Sequence, residues 1–128
     1  MNEIEKLIEY RMKQAEETIS EAEKMVKENF SSRTIINRTY YSMFYAILAL
    51  FLKTGIHINT SKHTGIITIF DKEFIKTGKI EKKYSKLLHN VFDDRQEADY
   101  RELIEIPFET AVKYVKMARE FINQIKEF

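Results

Sequence analysis

The chain has 128 residues, a mass of 15.3 kDa and 21 Lys+Arg against 20 Asp+Glu, for a formal net charge of +1. With 44% hydrophobic residues, only 3 Gly and 1 Pro, this is the composition of one folded helical domain; it excludes intrinsic disorder and disfavours turn-rich β architectures and glycine-looped nucleotide folds. The absence of cysteine removes disulfides, thiol chemistry and cysteine zinc sites, and near-zero net charge removes any global attraction to nucleic acid.

The first predicted helix runs from about Glu3 to Glu28. Ile8, Met12, Ala15, Ile19, Ala22 and Val26 step by four and three along one face, the pattern of an amphipathic helix. Glu5, Glu9, Lys13, Glu16, Glu17, Glu23 and Lys27 form the opposite face, which is expected to be solvated. Asn29-Phe30-Ser31-Ser32 breaks the helix, and Ser32 is placed as the N-cap of a second helix from Arg33 to about Thr54. Gly55 then stands at the position that favours a left-handed residue. This helix is apolar on nearly every side after Thr39, so it is expected to be the most buried element. Its apolar core, Tyr40–Leu52, falls short of the ~20 residues that span a bilayer, and no membrane contact is expected. The acidic N-terminus lacks the pattern of a secretory signal, and a cytoplasmic protein is expected.

A loop over 56–61 leads to a third helix, about Lys62–Lys76, capped by Ser61 or Thr60 and ended by Gly78. Its apolar residues are Ile66, Ile67, Ile69, Phe70 and Phe74. A fourth helix is predicted from about Ile80 to Glu97, with Tyr84, Leu87, Leu88, Val91 and Phe92 inward, then a break over Ala98–Ile106. Pro107 suits the first position of a fifth helix, in which Phe108, Ala111, Val115, Ala118, Ile122 and Ile125 again step by three and four. The expected architecture is all-α: an up-and-down antiparallel bundle of about five helices in one domain, residues 1–128.

No phosphate loop, dinucleotide fingerprint, zinc-protease motif or nucleophile elbow is present. His57, His63 and His89 are far apart in sequence. A metal site could be built only with help from carboxylates such as Asp93, four residues after His89 on the same helical face. A half-buried histidine with a carboxylate partner is the plainer reading, and neither a metal nor another cofactor is expected. Arg38, Tyr41 and Tyr45 share a face of the second helix, with Asn37 and Ser42 beside it. Such groups on an apolar helix need partners. They form either an internal Arg–carboxylate pair or a polar cleft for an anion, with Arg38 as the fork. Asp93 to Arg101 close the fourth helix, where Arg95 and Asp99 are placed for an i, i+4 pair.

Four pieces occur in order: Asn37-Arg38-Thr39-Tyr40-Tyr41-Ser42-Met43-Phe44-Tyr45-Ala46, Ser61-Lys62-His63-Thr64-Gly65, Phe70-Asp71-Lys72-Glu73-Phe74-Ile75-Lys76-Thr77-Gly78, and Asp94-Arg95-Gln96-Glu97-Ala98-Asp99-Tyr100. Together they resemble the small stand-alone prokaryotic proteins of the HEPN domain family, over roughly residues 5–125. The resemblance implies a helical bundle that dimerises. It also implies pairing with a minimal nucleotidyltransferase as toxin and antitoxin and, in active members, metal-independent ribonuclease chemistry. That chemistry uses an Arg followed after four to six residues by a His. Arg95 matches the Arg, but Tyr100, Arg101 and Glu102 occupy the His positions, and a phenol is a poor base at neutral pH. His63 becomes a candidate proton-transfer group if the third helix lines the same cleft. The resulting reading is a nucleotide- or RNA-binding homodimer with Arg38, Tyr41, Tyr45, Arg95 and Asp99 around a cleft, and Arg95, Tyr100 and His63 as candidates for any catalysis. The alternatives are a non-catalytic dimeric interaction module and an enzyme of another kind.

Overall fold

The computed structural model describes the backbone of residues 1–100 and 105–128 and the side chains of 1–96 and 105–128. The helices are α1 (Glu3–Lys27), α2 (Ser32–Thr54), α3 (His63–Phe70), α4 (Lys82–Tyr100) and α5 (Phe108–Lys126), with a single π-helical turn at Asp71–Ile75 continuing α3. There is no strand among the described residues, and the fold is the all-α bundle that the periodicity predicts.

Local chemistry sets the boundaries. Asn2 caps α1 by accepting from the Glu5 N–H. The cap of α2 is Ser31 rather than Ser32: Ser31 is extended (φ −61°, ψ 147°), and its hydroxyl accepts from the Thr34 N–H. The cap is therefore one residue earlier than expected, and Ser32 is already helical. Gly55 closes α2 at φ 72°, as the sequence predicts.

The third helix differs most from expectation. It is α-helical only to Phe70, and the Lys76 N–H then donates back five residues to the Asp71 carbonyl at 2.9 Å. Its N-cap position is Lys62, with no side-chain cap; Thr60 instead folds back so that its hydroxyl accepts from the Lys62 N–H. Gly65 permits this, because a Cβ there would lie 2.7 Å from the Thr60 methyl. The fourth helix starts at Lys82 and continues through Tyr100, beyond the expected end at Glu97, and Pro107 sits just before α5 rather than inside it. Of the rest of the expected break, 101–104 lie outside the described residues, and Glu105 and Ile106 are non-helical.

α2 lies at the centre, packed against α1, α4 and α5. It is the one described helix long and apolar enough to cross a membrane, and Ile35, Ile36, Tyr40, Met43, Ala46, Ile47 and Leu50 are fully buried against its neighbours. Deep burial of aliphatic and aromatic side chains is the main stabilising term. An aromatic chain extends it: Phe70 stacks with Phe74 and meets Phe121 of α5 edge-on at 5.7 Å.

The charged face of α1 is not wholly solvated. Arg119 of α5 reaches across to Glu16 at 2.6 Å and Glu23 at 2.7 Å, and Lys126 also pairs with Glu16. The hydrogen bond from Lys126, then Arg119, pulls the Glu16 carboxyl down to about 2 from 4.5. A depressed carboxyl stabilises the fold above its unfolded pKa, and that contribution is lost as pH falls through the folded value. We therefore expect Glu16→Gln to lower stability by about 1 kcal/mol at pH 7, discounted for its partial exposure. The difference from the native chain should vanish between pH 4.5 and 2, as read by urea unfolding at stepped pH.

Candidate functional site

The central position of α2 forces the geometry of the site. Its buried Thr39 and Ser42 hydroxyls are satisfied by its own backbone, donating to the Ile35 and Thr39 carbonyls. Tyr40 and Tyr41, about 100° apart on the helix, must find partners elsewhere. The fully buried Tyr40 has its hydroxyl 2.7 Å from His63 Nδ1, at the start of α3. The Tyr41 hydroxyl accepts from Arg95 Nη2 of α4 at 3.0 Å.

Arg95 and His63 thus meet over the same two rings. The Arg95 guanidinium carbon lies 5.0 Å from the Tyr40 centroid and 5.1 Å from that of Tyr41, within range of a cation–π attraction. The His63 ring lies 5.6 Å from Tyr40 and 6.1 Å from Tyr41, and stacks on Phe44 at 4.2 Å. Phe92 of α4 closes the inner side, 5.6 Å from Tyr40. The third helix does line the same site as Arg95, the condition on which a role for His63 depends.

Arg95 has no carboxylate partner among the described residues, and its Nε is buried without a hydrogen-bond acceptor. The neighbouring Asp94 is turned toward α5, where the Tyr114 hydroxyl donates to it. Burial, then Asp94 itself, raises the Tyr114 phenol well above its usual value. A half-buried guanidinium whose Nε lacks an acceptor among the described residues is costly, and a bound anion is a group that could supply one. Burial, and after it the Arg95 charge, lowers the His63 pKa below its usual 6.5, favouring the neutral ring. Burial pushes the Tyr40 phenol far up, against a smaller opposing pull from Arg95.

Arg38 and Tyr45 flank this centre. The Arg38 guanidinium hydrogen-bonds Asn37 Oδ1 and lies 5.5 Å from the Tyr41 ring, and Tyr45 packs 6.1 Å from Tyr41. The alternative of an internal Arg38–carboxylate pair is not found among the described residues. The side chains of Asp99 and Tyr100, and residues Arg101 and Glu102, lie outside the described residues, as does the expected Arg95–Asp99 pair. His89 does not pair with Asp93. It reaches Asp71 at the start of the π turn, Nε2 to Oδ2 at 2.7 Å, while the Ser85 hydroxyl donates to the other Asp71 oxygen. A tertiary carboxylate, held through its other oxygen by Ser85, takes the place of the i+4 neighbour. No cluster of three metal-ligating side chains occurs among the described residues.

Tyr40 and Phe44 are the members of the site that pattern reading passes over. Their i, i+4 spacing puts them on one face, but only the path of the 56–62 loop brings His63 onto it. Arg95→Met is expected to raise the His63 pKa part of the way back to 6.5, since burial remains. An NMR titration of the imidazole protons measures this, and an unchanged value would show that Arg95 does not act on His63.

Comparison with known proteins adds a consistent picture. The HEPN domain model matches residues 8–128. A Thermotoga maritima "UPF0332 protein" is 37% identical over 127 residues, 99% of this chain and 94% of its own length. Two Methanocaldococcus jannaschii proteins, each named "Putative toxin", are 36% and 34% identical over 126 residues. They cover 98% of this chain and 81% and 87% of their own lengths.

Proposed function

Since the chain belongs to the HEPN domain family, we propose that it is a toxin-like protein whose Arg95-centred site binds the phosphate groups of RNA or of a nucleotide. The observation that carries this reading is the guanidinium held over Tyr40 and Tyr41 with no acid among the described residues to neutralise it. A phosphate would accept from the planar fork. The half-buried faces of Tyr41, Phe44 and Tyr45 beside it are suited to stacking a base. The "Putative toxin" names of two relatives and the neutral overall charge agree with a local site rather than broad nucleic-acid affinity.

Binding of a fluorescent oligouridylate, read by anisotropy over a range of salt, tests the reading. Arg95→Ala is expected to weaken binding at least tenfold and to reduce the salt slope by about 0.7, the loss of one single-strand phosphate contact. Equal binding by the native protein and the variant, or none by either, overturns it.

The reading also takes a protein partner, either a second copy or a minimal nucleotidyltransferase. In its favour, Ile4, Leu7 and Tyr10 of α1 are 59%, 41% and 54% exposed, an apolar run of the kind that marks an interface. Light scattering at micromolar concentration is expected to give twice the 15.3 kDa chain mass. A monomer mass would leave only a different protein as partner.

A further inference from the structure

The hydrogen bond between Tyr40 and His63 has a direction, and the direction decides what His63 can do. The Tyr40 hydroxyl is fully buried, and His63 Nδ1 is its partner among the described residues. A buried O–H must donate, because leaving it without an acceptor costs its full desolvation. Burial also holds the phenol in its protonated form. Nδ1 is therefore the acceptor, and in a neutral imidazole the single N–H is then on Nε2. The other groups around the ring agree. Arg95 from α4 is a cation that opposes a second proton, Tyr41 from α2 is tied to Arg95, and Phe44 is apolar. Lys62, the neighbour on the chain, adds no acceptor.

Resting on the phosphate-binding reading above, we propose that Tyr40 is a positioning residue that fixes His63 as a neutral Nε2–H donor, aimed with Arg95 at one phosphate group. His63 Nε2 has no partner among the described residues, and the ring is half-buried, so one N–H is left to offer. The site then has two kinds of donor: a permanent cation and an uncharged N–H. This arrangement binds an anion without requiring the histidine to be charged. It also leaves no outward lone pair on His63, so in this state the ring does not accept a proton from a substrate hydroxyl.

The tautomer is read directly by long-range proton–nitrogen correlation spectra of histidine-labelled protein, with His63→Gln to assign the signals. The expected result is a pyridine-type Nδ1 and a protonated Nε2 that persist from about pH 6 to 8. In Tyr40→Phe, which keeps the ring and loses only the hydroxyl, the two tautomers should mix and the His63 pKa should rise. Oligouridylate, whose diester charge is constant over this range, is the binding probe. His63→Phe is expected to bind about tenfold more weakly. His63→Gln, which keeps a neutral N–H donor, should stay within about threefold of native. A thermal melt of each variant excludes a folding defect. An Nδ1–H tautomer, or full binding by His63→Phe, overturns the proposal; if Arg95→Ala still loses binding, the phosphate-site reading survives it. Failure of the native protein to bind oligouridylate overturns both.

Discussion

The constraint on which everything else depends is that α2 is buried on almost all sides. A helix so enclosed cannot leave its polar groups to water, so each must be answered from within the protein. Thr39 and Ser42 turn to their own backbone. Tyr40 and Tyr41 are too long for that, and they reach His63 and Arg95 on two other helices. The candidate site is thus a by-product of how the core is closed. The two phenols that complete the core also hold the His63 imidazole and the Arg95 guanidinium beside it, with Arg38 at its flank.

This dual role explains why the site's electrostatics are unusual while the chain's are not. Positive and negative residues balance overall, yet Asp94 is drawn away to Tyr114 and the α1 carboxylates are occupied by Arg119 and Lys126. Asp94 is thus committed to Tyr114, and Glu16 and Glu23 to holding α1 against α5. Structural ion pairs between α1 and α5 therefore coexist with an Arg95 guanidinium that has no acid partner among the described residues.

What the sequence made legible followed from short-range rules. The Glu3 start of α1 and the Gly55 stop of α2, the apolar stripes of α1 and of α5 from Ala111 onward, and the inward residues of α4 all depend on spacing within one helix, and spacing is preserved in the chain. Phe108, the first residue of the expected α5 stripe, is exposed. Ser31 rather than Ser32 as cap turns on a single backbone angle that either serine could adopt. The π turn was not legible, because Phe70 and Phe74 keep a helical spacing through it and composition does not separate i+4 from i+5 bonding. His63 was visible as a candidate but not as a neighbour of Arg95, since that depends on the loop path that Thr60 and Gly65 set. For His89 the sequence offered Asp93 as the nearby carboxylate, whereas the carboxylate it meets, Asp71, lies 18 residues away and beyond the reach of local spacing. For Asp99 and Tyr100 the helix is in place but the side chains are not described, so the second half of the Arg95 motif stays at the level of sequence.

The π turn after Phe70 bears on how this fold can change over time. Such a turn is the trace of one extra residue accommodated inside a helix, and one residue amounts to about 100° of rotation. Here the turn follows Phe70, with Asp71 facing Ser85 and His89 and with Phe70 and Phe74 both in the core. A chain that lost one residue between Asp71 and Ile75 would return to i+4 bonding there, with Phe70 and Asp71 keeping their places and the change confined to the turn. The segment is therefore a place where the chain can change length by one residue without unseating the aromatic core or the acid that anchors α4.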